Sequence, residues 1–267
     1  MVIDRAERTG RKMSGEIAQN PLNVLITAGG TIAPIDDVRV ISNRSSGRFG
    51  SNLAEAWLQA GAEVAYLATS PQTLGPLEWS RRRFDRGMDL QEMRRSLVEK
   101  SVRFWNDSEH FRRIDLEKGT VGDYAETLEK IAREGNWQVV MLAAAVSDYE
   151  PVARPGKMAS DADEIQLVLK RTPKVIESVR GWVGPKCLLV GFKLTSGATD
   201  AEMAAIARAA CIKNQADFTL VNDQSSLNAG RHRVALVNAG GVAEWFDPGD
   251  EMAAGVVHFL MRQRRKE

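Results

Sequence analysis

Two glycines, followed by a loop of arginines, amides and hydroxyls, mark the place where this chain could hold an anion. Gly29 and Gly30 lie in the turn Thr27-Ala28-Gly29-Gly30-Thr31, directly after an apolar run at 23–27. Without a Cβ, such residues let backbone amides turn toward negative charge. A polar loop then carries Arg39, Asn43, Arg44, Ser45, Ser46 and Gly47 up to a segment with Leu53, Ala54, Trp57 and Leu58 at helical spacing. A helix N-terminus offers unpaired N–H groups and partial positive charge, and arginines and hydroxyls beside it suit a phosphate or a carboxylate. A simple dinucleotide fold would start its helix at the glycines and carry G-x-G-x-x-G; here the loop is much longer and that fingerprint is absent.

A second cluster, Ala143-Ala144-Ala145-Val146-Ser147-Asp148, ends another apolar run. Small residues at a strand end let a flat ligand approach the backbone, and the same residues would also make a tight packing turn. Asp148 could meet a ribose hydroxyl, a base edge or a Mg²⁺ ion. Lys157 lies in a Pro/Gly-marked loop at 154–160, where composition alone makes it a solvated charge. Cys187 and Cys211 are far apart and lack C-x-x-C spacing, so they read as buried reduced thiols. His110, His232 and His258 share no metal-ligand spacing. No Ser/His/Asp or Cys/His set is present to supply a protein nucleophile.

The elements that must position these residues alternate. The patterning predicts strands at 23–27, 63–68, 111–116, 137–144, 163–169, 187–192 and 216–221. It predicts helices at 47–60, 123–133, 173–180, 201–214 and 250–264, the third opening on a proline that suits a first helical turn. The segments 231–238 and 241–246 flank Gly240-Gly241 as a hairpin. Residues 69–110 are the least readable stretch, with a basic run Arg81-Arg82-Arg83 that reads as a solvated face and a charged helical piece at 89–100. The alternation predicts a Rossmann-like α/β fold: a mostly parallel sheet with helices on both faces and a C-terminal hairpin. Such sheets bind ligands beyond the carboxyl ends of their strands, near a switch in strand order. The expected organisation is an N-terminal extension at 1–20 and one domain at 21–267, with an insertion or lid at 69–110.

Composition narrows the function classes. The 267 residues carry a net charge of +1, with 43% hydrophobic and 27% charged residues. That balance gives no general attraction to nucleic acid or membrane. No apolar run has membrane-spanning length and 1–20 has no signal-peptide core, so the expectation is a cytoplasmic enzyme.

The polar loop resembles that of the phosphopantothenoylcysteine synthetase family, also called phosphopantothenate–cysteine ligases. The family pattern is T-(A/S)-G-G-T, then P-I-D-x-V-R-x-I-(S/T)-N-x-S-(S/T)-G. This chain reads Thr27-Ala28-Gly29-Gly30-Thr31, then Pro34-Ile35-Asp36-Asp37-Val38-Arg39-Val40-Ile41-Ser42-Asn43-Arg44-Ser45-Ser46-Gly47. The small-residue cluster matches the family's A-A-A-V-(A/S)-D-Y. Lys157 matches the single-lysine form of the family's lysine motif, and the runs at 163–167 and 170–176 match the stand-alone class. Segments at 190–194, 212–217 and 221–223 match further. The resemblance covers about 23–223, with a weaker echo beyond. Ala209 stands where the family often has a basic residue, and 69–110 is longer than the family needs.

The resemblance implies ligation of 4′-phosphopantothenate to L-cysteine through an acyl-nucleotide. The nucleotide would be CTP, as in bacterial members, or ATP, as in other branches, with Mg²⁺ on the triphosphate. It implies Asn43, Arg39 and Lys157 as catalytic residues. Gly29, Gly30, Ser46 and Gly47 would offer donors to anionic groups. Ala145, Asp148, Phe192 and Lys213 would contact the nucleotide, Lys213 its phosphates. The stretch before Asn23 leaves no room for the flavin-dependent decarboxylase domain fused to some relatives, so no flavin is expected; a separate flavoprotein decarboxylase is the implied partner. A homodimer is also implied, with the hairpin at 231–246 as one place for its interface. Two other readings remain. A non-catalytic nucleotide-binding or decarboxylase-partner homologue would bind without turnover. A Rossmann-type oxidoreductase lacks its fingerprint and a Tyr-x-x-x-Lys pair.

Overall fold

The computed structural model describes residues 21–76, 108–159, 161, 163–228, 233–249 and 251–264. The expected extension at 1–20, the basic run at 81–83, the helical piece at 89–100, most of the expected insertion, and Arg231 and His232 lie outside the described residues.

The strands are β1 (Asn23–Ala28), β2 (Ile32–Pro34), β3 (Val40–Ser42), β4 (Glu63–Ala68), β5 (Phe111–Asp115), β6 (Val139–Leu142), β7 (Tyr149–Pro151), β8 (Leu169–Arg171), β9 (Leu188–Thr195), β10 (Phe218–Asp223), β11 (Val234–Asn238) and β12 (Gly241–Phe246). The helices are α1 (Arg48–Gln59), α2 (Val121–Glu134), α3 (Ile176–Val183), α4 (Asp200–Lys213), α5 (Gln224–Asn228) and α6 (Met252–Arg264). Eight strands form one sheet in the order β12-β11-β10-β9-β6-β1-β4-β5. The pairs from β5 through β10 are parallel, and β11 and β12 close the sheet as an antiparallel hairpin.

The central strands are apolar on nearly every residue because helices cover both faces. On β1, Val24, Ile26 and Ala28 join the cluster under α1 and α6, with Leu53, Trp57, Val256 and Leu260. Leu25 points the other way, into the cluster under α2 and α3, with Leu128, Val140, Val179 and Leu189. Helix α4 covers the far end of that second face through Met203 and Ala207 against Val221, Ala235 and Val237. Side-chain caps set the starts of α2 and α4. Thr120 accepts the Asp123 N–H at the head of α2, and Thr199 and Glu202 form a capping box at the head of α4.

The chain winds from β1 outward through β4 to β5, then returns and winds the other way through β6, β9 and β10. The strand order therefore switches between β1 and β6, where a ligand crevice is expected. The loops following these two strands are the two that carry the small-residue motifs.

Three expectations change. The loop at 33–47 contains a short hairpin, β2–β3, which projects from the end of β1. The strand expected at 163–169 reduces to β8, paired with β7. Ile165, Leu167 and Leu169 do alternate, but they stay 48%, 39% and 45% exposed, so no packed face among the described residues rewards the pattern. The third helix starts at Ile176 rather than Pro173. Thr172 gives its N–H to the Asp148 carbonyl and its hydroxyl to the Ser147 carbonyl, which holds 172–174 against that loop and delays the helix.

Candidate functional site

At the switch point the two motif turns are stitched together. The Ala145 N–H donates to the Gly29 carbonyl at 2.7 Å, and the Thr31 N–H returns to the Ala145 carbonyl at 3.2 Å. Thr27 accepts the Ala144 N–H through its hydroxyl, and Thr31 accepts the Ser147 N–H in the same way. The side chain of Asn43, at the base of β3, donates from Nδ2 to the Ala145 carbonyl at 3.2 Å. The structure thus brings Gly29, Gly30, Asn43 and Ala145 into one corner.

The glycines are required by crowding. Gly29 has φ 92°, and a Cβ there would sit 2.2 Å from Thr69 Oγ1. A Cβ on Gly30 would sit 2.7 Å from the backbone oxygen of Asn43. Gly47, at φ 79°, is the N-cap of α1 and brings no side chain to the helix start. Ser46 is exposed beside it. Gly30, Ser42, Ser45, Thr69, Ser70 and Thr73 help line a hydroxyl-rich cleft of about 350 Å³ at the ends of β1, β4 and β5. A hollow of about 660 Å³ opens at the opposite, amino ends of the same strands, beside Asn23, Glu63 and Phe111, and contains no motif residue.

The tip of the β2–β3 hairpin is organised by Asp36, whose side chain is fully buried. Oδ1 accepts the N–H groups of Val38 at 2.8 Å and Arg39 at 2.7 Å. Oδ2 accepts Arg39 Nη1 at 2.9 Å and the Met158 N–H at 3.1 Å. Asp37 accepts the Gly156 N–H at 2.9 Å through Oδ2. Hydrogen bonds from Val38 and Met158, outweighing burial, hold the Asp36 carboxyl below the usual carboxylate range. Lys157 is exposed between two residues fastened to this tip. Arg39 is itself engaged, reaching Asp36 and, at 3.4 Å, the Met158 carbonyl.

On the far side of Ala145, Asp148 is exposed and ion-paired with Lys174. Lys213, at the end of α4, pairs with Glu177 at 2.8 Å, and Lys174 and Arg171 also lower the Glu177 carboxyl. Lys213 therefore lies outside the Gly30–Asn43–Ala145 corner, connected to it by the run Asp148–Lys174–Glu177. Phe192 is half-buried and meets Phe49 of α1 edge-on, with centroids 6.1 Å apart. Arg208 turns away and donates to the Ala239 carbonyl. Asp36 and Lys174 lie inside recognisable motifs, but sequence reading did not select them; their pairings, 122 and 26 residues apart, have no local signature. Among the described residues no three His, Cys, Asp or Glu side chains gather as a metal site. Nor is any described helix long and apolar enough to cross a membrane.

A family described as the DNA/pantothenate metabolism flavoprotein C-terminal domain matches residues 20–102 and 112–261. The coenzyme A biosynthesis bifunctional protein CoaBC of Thermococcus kodakarensis is 28% identical over 214 residues, covering 80% of this chain and 44% of that protein. The phosphopantothenate–cysteine ligase of Homo sapiens is 32% identical over 202 residues, covering 66% of this chain and 65% of that protein. The chain thus spans less than two thirds of the length of these relatives. The crystal structure of the DNA/pantothenate metabolism flavoprotein from Streptococcus pneumoniae matches with a TM-score of 0.70 at 26% identity, over 91% of this chain and 99% of that one.

Proposed function

The chain belongs to the DNA/pantothenate metabolism flavoprotein C-terminal domain family, and from that premise we propose that it ligates 4′-phosphopantothenate to L-cysteine, driven by a nucleoside triphosphate. The observation that carries the reading is the corner at the switch point, where the Asn43 amide, Gly30 and the Ala145 carbonyl meet.

In the first step a carboxylate oxygen of the acid attacks the α-phosphorus, an acyl-nucleotide anhydride forms, and pyrophosphate leaves. In the second, the cysteine amine attacks the acyl carbon, the C–O bond to the nucleotide breaks, the amine loses a proton, and the nucleoside monophosphate leaves. Neither step needs a protein nucleophile; both need positioning and charge stabilisation. Asn43 holds the acid carboxylate and then the acyl group. Lys157 meets the charge that develops at the α-phosphate. Arg39, held by Asp36, serves the second step at the acyl group or the incoming amine. Gly29, Gly30, Ser46 and Gly47 give donors to anionic groups, and the hydroxyl-rich cleft receives the acid. Ala145, Asp148, Phe192 and Lys213 serve the nucleotide, and Lys174 joins them as the partner Asp148 must exchange. A Mg²⁺ ion would ride on the triphosphate and neutralise phosphate charge, and Asp148 is the carboxylate that would hold it.

CTP is the proposed nucleotide and ATP the alternative. The enzyme is placed in the cytoplasm, as a homodimer that draws on a separate flavoprotein decarboxylase. Exposed apolar side chains beside β7 and β8, among them Tyr149, Val152, Ile165 and Val168, favour that arm over the β11–β12 hairpin for the dimer interface. The test of function is incubation with Mg²⁺, 4′-phosphopantothenate, cysteine and either CTP or ATP, following pyrophosphate and the amide by mass spectrometry. Cysteine-dependent amide supports the ligase and names its nucleotide. Neither product with either nucleotide overturns it.

A further inference from the structure

The β2–β3 hairpin has two ends with different tasks. Its base carries Asn43 against Ala145. Its tip carries two carboxylates that each accept a backbone N–H from a different loop. Asp37 exchanges backbone and side-chain bonds with Gly156: its N–H donates to the Gly156 carbonyl at 3.3 Å, and its Oδ2 accepts the Gly156 N–H at 2.9 Å. Asp36 Oδ2 accepts the Met158 N–H, and the Arg154 N–H donates to the Ile35 carbonyl at 3.0 Å. Arg39 closes the set by bridging Asp36 to the Met158 carbonyl. The loop ends of these latch bonds, at Arg154, Gly156 and Met158, lie within three residues of Lys157, and none involves its side chain. The 154–158 stretch has no regular structure of its own and stands exposed apart from half-buried Met158. Its placement thus depends on the tip of another element. A fully buried carboxylate with four donors around it is costly to disturb, so it makes a firm anchor.

We propose that Asp36 and Asp37 are positioning residues that latch the Lys157 loop onto the tip of the β2–β3 hairpin, so that one rigid hairpin fixes both Asn43 and Lys157. The consequence for Lys157 rests on the ligase reading above; the latch itself does not. A lysine on an unanchored loop would lose side-chain and backbone freedom each time it met the substrate, whereas an anchored one has lost the backbone part in advance. Asp36 touches no reacting atom; in the pyrophosphate-releasing step it acts through Lys157, while its hold on Arg39 bears on the second step.

The experiment compares the full chain with Asp36→Asn and Asp37→Ala. Asparagine keeps one acceptor oxygen for the turn but presents an N–H₂ toward the donors of Met158 and Arg39. Asp37 is exposed, so its truncation tests the latch should the buried substitution unfold the chain. The first readout is trypsin cleavage at the Lys157–Met158 bond, mapped by mass spectrometry, against cleavage after Arg133 in α2 as an internal control. The open population of the loop governs that rate. Loss of a charge-assisted bond should raise it about tenfold in either folded variant, with the control site unchanged. The second readout is the pyrophosphate rate in a Lys157→Gln background. There Asp36→Asn should add less than about twofold to the loss, because it acts through the missing lysine.

Cleavage at the wild-type rate in both folded variants overturns the latch, whatever the activity. Additive losses in the double variant overturn the positioning role. A wild-type chain that releases no pyrophosphate while the variants are cut faster leaves the latch standing and brings down the ligase reading alone.

Discussion

The Asn43 side chain donates to the Ala145 carbonyl across 3.2 Å, although 102 residues separate the two. The bond fixes the orientation of the Asn43 amide: its N–H₂ group faces Ala145, which leaves the carbonyl oxygen and the second N–H to meet a ligand. It also joins the two loops that flank the switch in strand order. On the ligase reading, a change at Asn43 should therefore affect acid binding and the placement of the Ala145 loop together.

Asn43→Asp replaces a donor with a carboxylate that faces the Ala145 carbonyl oxygen and, on the ligase reading, an anionic substrate. The amide-forming rate should fall by about 10²-fold or more, the magnitude typical of losing one positioned donor. Quenched-flow separation of acyl-nucleotide from amide would show which step suffers. Amide formation near the wild-type rate would remove Asn43 from the mechanism.

Lys157 is exposed and its ammonium pairs with no carboxylate among the described residues, so Lys157→Gln should leave stability within about 0.5 kcal/mol of wild type. Pyrophosphate release should nevertheless drop about 10²–10³-fold if the ammonium stabilises charge at the α-phosphate. The pairing of unchanged denaturation with a large kinetic loss is the signature. Pyrophosphate at the native rate would contradict the assigned role.

Gly30→Ala tests how closely the corner is packed. The added Cβ would lie 2.7 Å from the Asn43 backbone oxygen, an atom of main chain that cannot swing aside. Unlike Gly29 and Gly47, Gly30 has no positive φ, so the cost is steric rather than conformational. Overpacking of this kind costs about 1–3 kcal/mol. It should also displace Asn43 and raise KM for the acid. Chemical denaturation and steady-state kinetics with varied acid would check both. An unperturbed KM would mean that the hairpin base adjusts without moving the amide.

Local pattern carried much of this architecture. The strands around Val24, Val64 and Leu189 were legible because both faces are covered, which leaves continuous apolar runs between turn signals. The glycine turn and the Asn43 loop were legible as motifs. The long-range pairings were not. Nothing near Asp36 announces Met158 as its partner, and nothing near Lys213 announces Glu177. Residues 163–168 misled because Ile165 and Leu167 alternate like a half-buried strand yet meet no packed face. Periodicity reports what a segment could bury, and the tertiary arrangement decides whether anything is there to bury it against.

Asp223 gives a prediction that does not depend on the activity. It lies at the end of β10 and ties down the turn that leads into α4. Burial raises the cost of its charge, but bonds from Thr195, Ala198, Ser225 and Gly197 outweigh that and bring its pKa from an ordinary 3.8 to about 2. The Thr195 hydroxyl donates at 2.8 Å, and the Ser225 and Ala198 N–H groups at 2.9 and 3.2 Å. The folded state thus holds the carboxylate ionised where the unfolded chain would protonate it. The sign follows: Asp223 contributes its full stabilisation above the unfolded value, and that contribution drains away as the pH falls from about 4 to about 2. In Asp223→Asn the loss should already be present at pH 7, and the fall in urea midpoint between pH 5 and 2 should be shallower than in the wild type. Parallel midpoint curves for the two proteins over that range would show that Asp223 is not among the groups that set the acid limit of the fold.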